Sequence, residues 1–354
     1  MRRFKPQNIL ITGGAGFIGA NFIRHCCTHF LPYNIINLDN LTYAANLENL
    51  QDLYTEDRFV FIEGDICDAD LIFKLLRKYK IDTIINFAAE SHVDRSIHDP
   101  LIFAKSNVLG TANLLEAARQ YWLTELKLSA TDCRFYHIST DEVFGSLSLT
   151  NAARTEEHRY QPRSPYSASK ASADHFVHAY HHTYGLPVVL SHCSNNYGPY
   201  QHPEKFIPTI IHACLNGQAI PIYGTGNNIR DWIYVEDHCR AIQTILEQGQ
   251  LGQSYNIAAN NQVDNNTLAQ EICLLMDELL PQQQSYTTLI TYVPDRLGHD
   301  LRYALDTTKI RTTLSWSPQI DLRAGLIKTI AYYMKTNKLE QRNAKISTIN
   351  RAMI

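Results

Sequence analysis

Short apolar runs alternate with stretches of helical periodicity through the first half of the chain. The runs are rich in β-branched residues, which is typical of buried strands. They predict strands at 8–12, 34–39, 59–65, 83–89, 134–140 and 187–193. Between most of them lie segments such as 69–79 and 108–122, whose apolar residues recur every three or four positions. This alternation predicts an α/β fold with a doubly wound parallel sheet of the Rossmann type.

The pattern changes after about residue 195. Turn-rich pieces such as "IYGTGNNIRDW" and "VPDRLGHD" are separated there by helical patterns at 206–216, 236–248 and 266–280. We therefore predict a Rossmann domain over 1–195 and a smaller, loop-rich substrate lobe over 196–335, with some chain crossing back. Residues 336–354 are predicted to be a polar C-terminal tail.

The charge balance limits the class of partner. Lys and Arg number 32 against 35 Asp and Glu, and this argues against nucleic acid or an anionic membrane as the main partner. No stretch approaches the roughly 20 apolar residues of a membrane span. The eight cysteines are scattered without zinc-type spacing, so we predict a cytoplasmic protein with no metal site.

A glycine turn follows the first predicted strand. Gly13, Gly16 and Gly19 in "ITGGAGFIGA" open a helix, where glycines allow a pyrophosphate to approach the backbone and the helix N-terminus. Asp39 ends the second strand, at the distance expected of an acid that binds a ribose diol. No arginine follows it directly, which favours NAD over NADP. The alternative is an ordinary strand-to-helix turn with an exposed aspartate.

A tyrosine and a lysine share one face of a predicted helix. In "SPYSASKASADHF", Tyr166 and Lys170 stand four positions apart. An ammonium close to a phenol favours the phenolate, so we expect Lys170 to lower the pKa of Tyr166. A surface pair without function is the alternative.

Taken in order, these motifs resemble the extended short-chain dehydrogenase/reductase superfamily of nucleotide-sugar-modifying enzymes, from the first strand to about residue 325. The resemblance implies that Thr140, Tyr166 and Lys170 serve hydride transfer between a sugar carbinol and NAD. The run "STDEVFG" makes the resemblance more specific, because Asp141 and Glu142 resemble the adjacent acids of the dTDP-glucose 4,6-dehydratase family. A nucleotide-sugar 4-epimerase is the alternative, and it would leave both acids idle; a catalytically silent NAD-binding protein is a third.

The dehydratase resemblance implies an NAD-dependent hydro-lyase. Tyr166, aided by Thr140, would take the C4 hydroxyl proton as C4 is oxidised. Glu142 would then remove the C5 proton while Asp141 protonates the departing C6 hydroxyl, before C6 is reduced. Adjacent acids in a desolvated site divide into one protonated and one ionised group, as elimination requires.

The resemblance also implies binding residues. Those expected to contact NAD are Gly13, Gly16, Phe17, Ile18, Gly19, Asp39, Asn40, Leu41, Thr42, Asp65, Ile66, Phe87, Ala88, Ala89, Glu90, Ser106, Tyr166, Lys170 and Asn196. Those expected to contact the sugar nucleotide are Ser91, Thr140, Asn195, Lys205, Phe206, Pro221, Ile222, Tyr223, Arg230, Asn265, Asp295, Arg296 and His299. It further implies a homodimer and a role in deoxysugar biosynthesis, for example of rhamnose.

The chain departs from the family pattern in three places. Leu297 replaces the usual proline of "DRPGHD", and Phe144 replaces the usual tyrosine of "DEVYG". The loop 146–160 is shorter than usual and is expected to lie over the mouth of the cleft. The nucleobase preference, thymine or uracil, stays open, because one methyl group contributes only about 1–3 kcal/mol to discrimination.

Overall fold

The computed structural model describes residues 3–29 and 31–352, with side chains as far as Asn337. The strands, in chain order, are β1 (Asn8–Thr12), β2 (Asn34–Asp39), β3 (Phe59–Glu63), β4 (Thr83–Asn86), β5 (Arg134–Thr140), β6 (Val188–Cys193), β7 (Asn195–Tyr197), β8 (Ile220–Tyr223), β9 (Ile229–Tyr234), β10 (Ser254–Ile257), β11 (Gln262–Asp264) and β12 (Ile290–Val293).

The α-helices are α1 (Phe17–Thr28), α2 (Ala69–Lys78), α3 (Val93–His98), α4 (Pro100–Phe103), α5 (Gly110–Ala118), α6 (Pro165–Tyr184), α7 (Phe206–Asn216), α8 (Val235–Gln248), α9 (Asn265–Leu279), α10 (Thr308–Leu314) and α11 (Leu322–Ala352). Short 3₁₀ turns lie at Leu47–Leu53, Asp141–Phe144 and Tyr286–Leu289. Wider π turns at Ala104–Leu109 and Arg119–Glu125 extend α5 at both ends.

The central sheet has seven strands in the order β10-β6-β5-β4-β1-β2-β3. Every neighbouring pair in it is parallel. The chain runs outward from β1 to β3 on one side and from β4 on the other, so the sheet is doubly wound and the Rossmann-type prediction is confirmed. In such a sheet ligands bind beyond the carboxyl ends of the strands, where the winding direction reverses. That point lies between β1 and β4.

Both faces of this sheet are covered. Ile9 and Ile11 of β1 pack into one apolar cluster with α1 and α8, whereas Leu10 packs into a second cluster with α2 and α5. All three side chains are fully buried. Burial on both faces explains why the predicted strands are continuous apolar runs rather than alternating ones.

The second half of the chain builds a smaller layer beside the sheet. Strands β11, β9 and β7 form one small sheet, β12 and β8 pair in another, and α7, α9 and α11 enclose a third apolar cluster. Strand β10 returns to the edge of the central sheet. Helix α11 continues to Ala352, so the segment predicted as a polar tail is helical over that range.

One strand boundary bears on the site. The sequence predicts β4 as far as residue 89, but the strand ends at Asn86. Residues Phe87 to Glu90 leave the sheet and line the cavity described next.

Candidate active site

A deep cavity opens at the carboxyl ends of β1, β2, β4, β5 and β6, at the reversal of the winding. Its walls come from the glycine turn, the ends of the strands, the start of α6 and the segment before α7. The predicted cofactor and substrate residues that line it are Gly13, Gly16, Phe17, Ile18, Gly19, Asp39, Asn40, Thr42, Asp65, Ile66, Phe87, Ala88, Ala89, Glu90, Ser91, Ser106, Thr140, Asp141, Glu142, Tyr166, Lys170, Asn195, Asn196 and Lys205.

The glycine turn is shaped for close approach. Gly13 has φ +72°, and a Cβ there would lie 2.6 Å from the Ala88 nitrogen. At Gly16 the nearest neighbour of a Cβ would be 3.3 Å away, so this glycine leaves backbone open to the cavity. No described side chain caps the start of α1, whose N–H groups are therefore available to an anion. These features fit a pyrophosphate.

Asp39 completes a dinucleotide cradle. Its carboxylate accepts hydrogen bonds from the backbone N–H groups of Ala15 and Leu41, both at 2.9 Å. Burial raises the pKa of Asp39, and these two hydrogen bonds oppose the rise. The acid is thereby fixed between the glycine turn and the loop after β2, where it can accept from the diol of a ribose. The residues present fit NAD.

The adjacent acids lie where β5 ends. Thr140 has extended backbone, and its hydroxyl oxygen accepts from the Glu142 N–H at 3.3 Å, which starts the 3₁₀ turn Asp141–Phe144. This turn places both carboxyls at the cavity wall. Asp141 is 4% exposed, and its Oδ2 has no hydrogen-bond partner among the described residues.

The two acids experience different electrostatics. Burial, and then the neighbouring Glu142 carboxylate, raise the pKa of Asp141 well above its usual value. Burial also raises the pKa of Glu142, but the charges of Arg296, Arg230 and Lys205 oppose that rise. The two carboxyls therefore lie in unequal electrostatic surroundings, with the cations set against the rise in the pKa of Glu142.

The predicted lowering of the Tyr166 pKa by Lys170 is opposed by other groups in the geometry described. The Lys170 ammonium donates to the Ile138 carbonyl at 2.7 Å and lies 3.2 Å from His137 Nε2. Burial and the Glu142 carboxylate raise the pKa of Tyr166 well above 10, while a hydrogen bond with Thr140 lowers it. A spacing of four residues puts Tyr166 and Lys170 on one helix face, but burial and the nearby acids have the larger effect on the pKa of the Tyr166 phenol.

Several predicted residues lie outside this cavity: Leu41, Phe206, Pro221, Ile222, Tyr223, Arg230, Asn265, Asp295, Arg296 and His299. Ile222 is fully buried in the third apolar cluster, because side chains alternate along β8 and its neighbours Pro221 and Tyr223 face outward. Its side chain therefore cannot contact a ligand. Phe206 packs against the same cluster and stacks on Trp232.

Arg230 is engaged by the protein itself. Its guanidinium donates to the carbonyls of Ile229 and Asp300, at 2.8 and 2.9 Å, and lies over the Tyr303 ring. Arg296 retains an Nε without a partner among the described residues. The turn that carries Arg296 is held by His299 Nδ1, which lies 2.6 Å from Asp295 Oδ1.

The cavity also has walls that sequence reasoning missed. Ser139, Cys193 and Ser194 line it from the ends of β5 and β6, and Gln201 and His202 from the segment before Lys205. In the sequence these five residues are indicated by their positions close to predicted site residues. A short motif alone does not tell which neighbours turn inward.

The three departures from the family pattern have local explanations. Leu297 is 76% exposed, so the missing proline leaves no gap. The Phe144 ring packs against His192 and Tyr160, with centroids 4.8 and 5.3 Å away. Loop 146–160 contributes no described residue to the cavity wall; it runs along 301–306, with Arg154 bridged to Leu305.

Two properties concern the whole described chain. Its eight cysteines are all free thiols. Within residues 3–29 and 31–352, no helix has the length and apolar character required to cross a bilayer.

Comparison with known proteins agrees with this geometry. The family model described as GDP-mannose 4,6 dehydratase matches residues 10–329. A dTDP-glucose 4,6-dehydratase of Shigella flexneri is 48% identical over 351 residues, which is 97% of this chain and 96% of that protein. The corresponding Escherichia coli K12 enzyme is 48% identical over 94% of both chains.

Solved structures agree as well. A dTDP-glucose 4,6-dehydratase of Streptomyces venezuelae with NAD bound superposes with a TM-score of 0.85, at 42% identity over 94% of this chain and 98% of that one. A UDP-glucose 4-epimerase of Thermotoga maritima is more distant, with a TM-score of 0.81 and 28% identity over 93% and 99%. The chain belongs to the dTDP-glucose 4,6-dehydratases, NAD-dependent hydro-lyases of the extended short-chain dehydrogenase/reductase superfamily.

Proposed function

We propose that Tyr166, Asp141 and Glu142 perform successive proton transfers at the end of β5. The reaction follows from the family: dTDP-glucose becomes dTDP-4-keto-6-deoxyglucose by oxidation at C4, loss of water across C5 and C6, and reduction at C6. Bound NAD supplies the hydride acceptor and then the donor, and it is regenerated in each turnover. The residues of this chain bind, orient and move protons.

The observation that supports the proposal is the unequal electrostatic setting of the two acids. Asp141 is buried and disposed to remain protonated, so it can give a proton to the departing C6 hydroxyl, which leaves as water. Glu142 faces the charges of Lys205, Arg230 and Arg296, which favour its ionised form, so it can remove the C5 proton. The same cations are among the predicted contacts of the sugar nucleotide, whose diphosphate suits forked or point-charge contacts.

Tyr166 is assigned the C4 hydroxyl proton, assisted by Thr140. The phenol is protonated in the geometry described, so it needs a positive charge nearby before it can act as a base. The Lys170 ammonium is such a charge, and the oxidised nicotinamide ring of NAD would supply another when bound. Lys170 lines the cavity on the same helix face, one turn beyond Tyr166.

The direct test is incubation with dTDP-glucose, followed by alkali and measurement of the 4-keto-6-deoxy chromophore. UDP-glucose, supplied separately and as a competitor, reports the nucleobase preference. We expect product from dTDP-glucose. Formation of dTDP-galactose instead would refute the dehydratase roles of Asp141 and Glu142, because a 4-epimerase needs neither acid.

We also propose a homodimer that forms through α6 and the helical segment 100–109. Leu101, Leu109 and Phe176 expose 78%, 58% and 42% of their surface on these packed helices. Large apolar side chains on adjoining elements are typical of an interface. Leu109→Glu with Phe176→Glu is expected to give a monomer in light scattering, whereas the control Leu274→Glu, at an exposed position on α9, leaves a dimer.

A cytoplasmic location is part of the proposal. Its support is the eight free thiols, since a reducing compartment keeps cysteines in that state. Fractionation of the native organism followed by immunodetection tests it.

A further inference from the structure

A buried polar cluster lies behind the cavity, between α6 and strands β5 and β6. We call it the Asp174 cluster; it consists of Asp174, His137, Ser139, His192 and Tyr160. The Asp174 carboxylate is fully buried, and its Oδ2 accepts from the Ser139 hydroxyl at 2.7 Å. His192 Nε2 lies 3.5 Å from the same oxygen, and His137 Nε2 lies 3.4 Å from Oδ1.

The cluster meets the cavity at Ser139, which lines it, and approaches Lys170 through His137. The same His137 Nε2 lies 3.2 Å from the Lys170 ammonium, so the imidazole stands between the two charged groups. Lys170 and Asp174 are one helical turn apart on α6, and both are buried. A buried ammonium is costly unless an opposite charge compensates it.

We propose that Asp174 is a positioning residue for the reaction: its carboxylate is the buried counter-charge that, across His137, keeps Lys170 ionised and held at the cavity wall. This inference rests on the role proposed above for Lys170. Asp174 itself does not line the cavity, so it acts through Lys170.

The electrostatics of the surrounding groups agree. Burial lowers the pKa of Lys170 to about 8, and the charge of Asp174 is the leading influence that opposes this. Burial also lowers the pKa of His137 well below 6.5, so this imidazole is neutral and adds no charge between them. The other titratable or charged groups that face the pair are Tyr160, His178, His192 and Cys193, with Tyr166, Asp141 and Glu142 at the cavity side.

Asp174 is itself kept ionised by its surroundings. Burial disfavours its charge, but the hydrogen bond with His192 and the nearby Lys170 ammonium hold its pKa below the usual value. Tyr160 lies 2.7 Å from His192 Nε2 and links the short loop 146–160 to the cluster. The Phe144 ring covers His192. The Asp174 carboxylate is therefore held by the surrounding side chains of the cluster and shielded from water.

The test compares Asp174→Asn, Asp174→Glu and the control Asp237→Asn, whose residue is equally buried but pairs with Arg240. For each protein, kcat and KM for dTDP-glucose are measured against pH. Without the carboxylate the Lys170 pKa falls, so the alkaline loss of kcat is expected to begin at least about 1 pH unit lower. KM is expected to stay unchanged, and Asp174→Glu to restore the wild-type alkaline limb.

A second readout does not depend on turnover. The pH dependence of acetylation at Lys170, followed by mass spectrometry of its peptide, gives the pKa of this amine directly, and Asp174→Asn is expected to lower it. An unchanged acetylation profile in Asp174→Asn would overturn the inference, even if activity fell. Absence of turnover in the wild type would instead count against the proposed function.

Lys170→Arg keeps the test decisive if Asp174→Asn does not fold. A guanidinium stays charged without help from Asp174, so the alkaline limb is expected to move to higher pH. If the alkaline limb of Lys170→Arg stays at the wild-type pH, Lys170 is not the titrating group and the inference is wrong.

Discussion

Glu142→Gln is the substitution that best separates the steps of the reaction. Glutamine keeps the size and the hydrogen-bonding capacity of the side chain but cannot take the C5 proton. The cations around Glu142 and the Thr140–Tyr166 pair remain in place, so oxidation at C4 is retained. A positioned general base contributes roughly 10²–10⁴-fold, equal to about 3–5 kcal/mol of barrier, and turnover is expected to fall by that factor.

The assay for Glu142→Gln follows the bound cofactor and the product in parallel. On addition of dTDP-glucose, NADH absorbance is expected to rise to about one equivalent per site and persist, while the alkaline chromophore of the product is nearly absent. In the wild type the reduced cofactor is reoxidised at C6 and does not accumulate. Glu63→Gln, at the exposed end of β3, is the matched control and is expected to behave like the wild type.

Two results would refute this reasoning about Glu142. Product formation at the wild-type rate by Glu142→Gln would show that another group removes the C5 proton. Loss of NADH formation together with loss of product would show that Glu142 serves the oxidation step or substrate binding instead.

Three further predictions concern the cavity. Gly13→Ala is expected to cost about 1–3 kcal/mol through its positive φ, and more through the clash with Ala88, and to abolish retention of NAD, measured as cofactor released from the purified protein. Asp39→Ala is expected to weaken NAD binding by at least about tenfold in calorimetry, because a ribose loses its charged acceptor, while NADP gains relative to NAD. Asp141→Asn is expected to inactivate the enzyme yet raise its unfolding temperature at pH 8, by on the order of 2 °C per kcal/mol recovered. The sign follows from the raised pKa of Asp141 in the fold. Above the ordinary pKa of an aspartate, the folded protein either takes up a proton at this carboxyl or buries its charge, and both cost stability. At acidic pH both side chains are neutral, so the gain disappears.

The adjacent acids show what the local sequence predicts about the site and what it does not. A strand with carboxyls directly after it places them at the ligand-binding edge of a parallel sheet, and this placement needs no knowledge of the partner strands. The charges that oppose the rise in the pKa of Glu142 come from distant segments: Lys205 before α7, Arg230 in β9 and Arg296 in the turn after β12. Their approach to Glu142 is a property of the folded chain.

The sequence by itself determined the doubly wound sheet, the dinucleotide turn with Asp39, and the grouping of Thr140, Asp141, Glu142, Tyr166 and Lys170 in one crevice. These features depend on the periodicity of apolar residues and on short motifs whose members lie on one element or at strand ends, so local geometry is enough to place them.

Only the tertiary structure decided where the longer side chains point and which charges they meet. It turns the Ile222 side chain into the core, engages Arg230 with backbone carbonyls, and directs Lys170 toward Ile138 and His137. It also packs Asp174, one turn beyond Lys170 on α6, against His137 and His192 of β5 and β6. Burial and long-range electrostatics set these outcomes, and both depend on contacts between residues far apart in the chain, which no local pattern encodes.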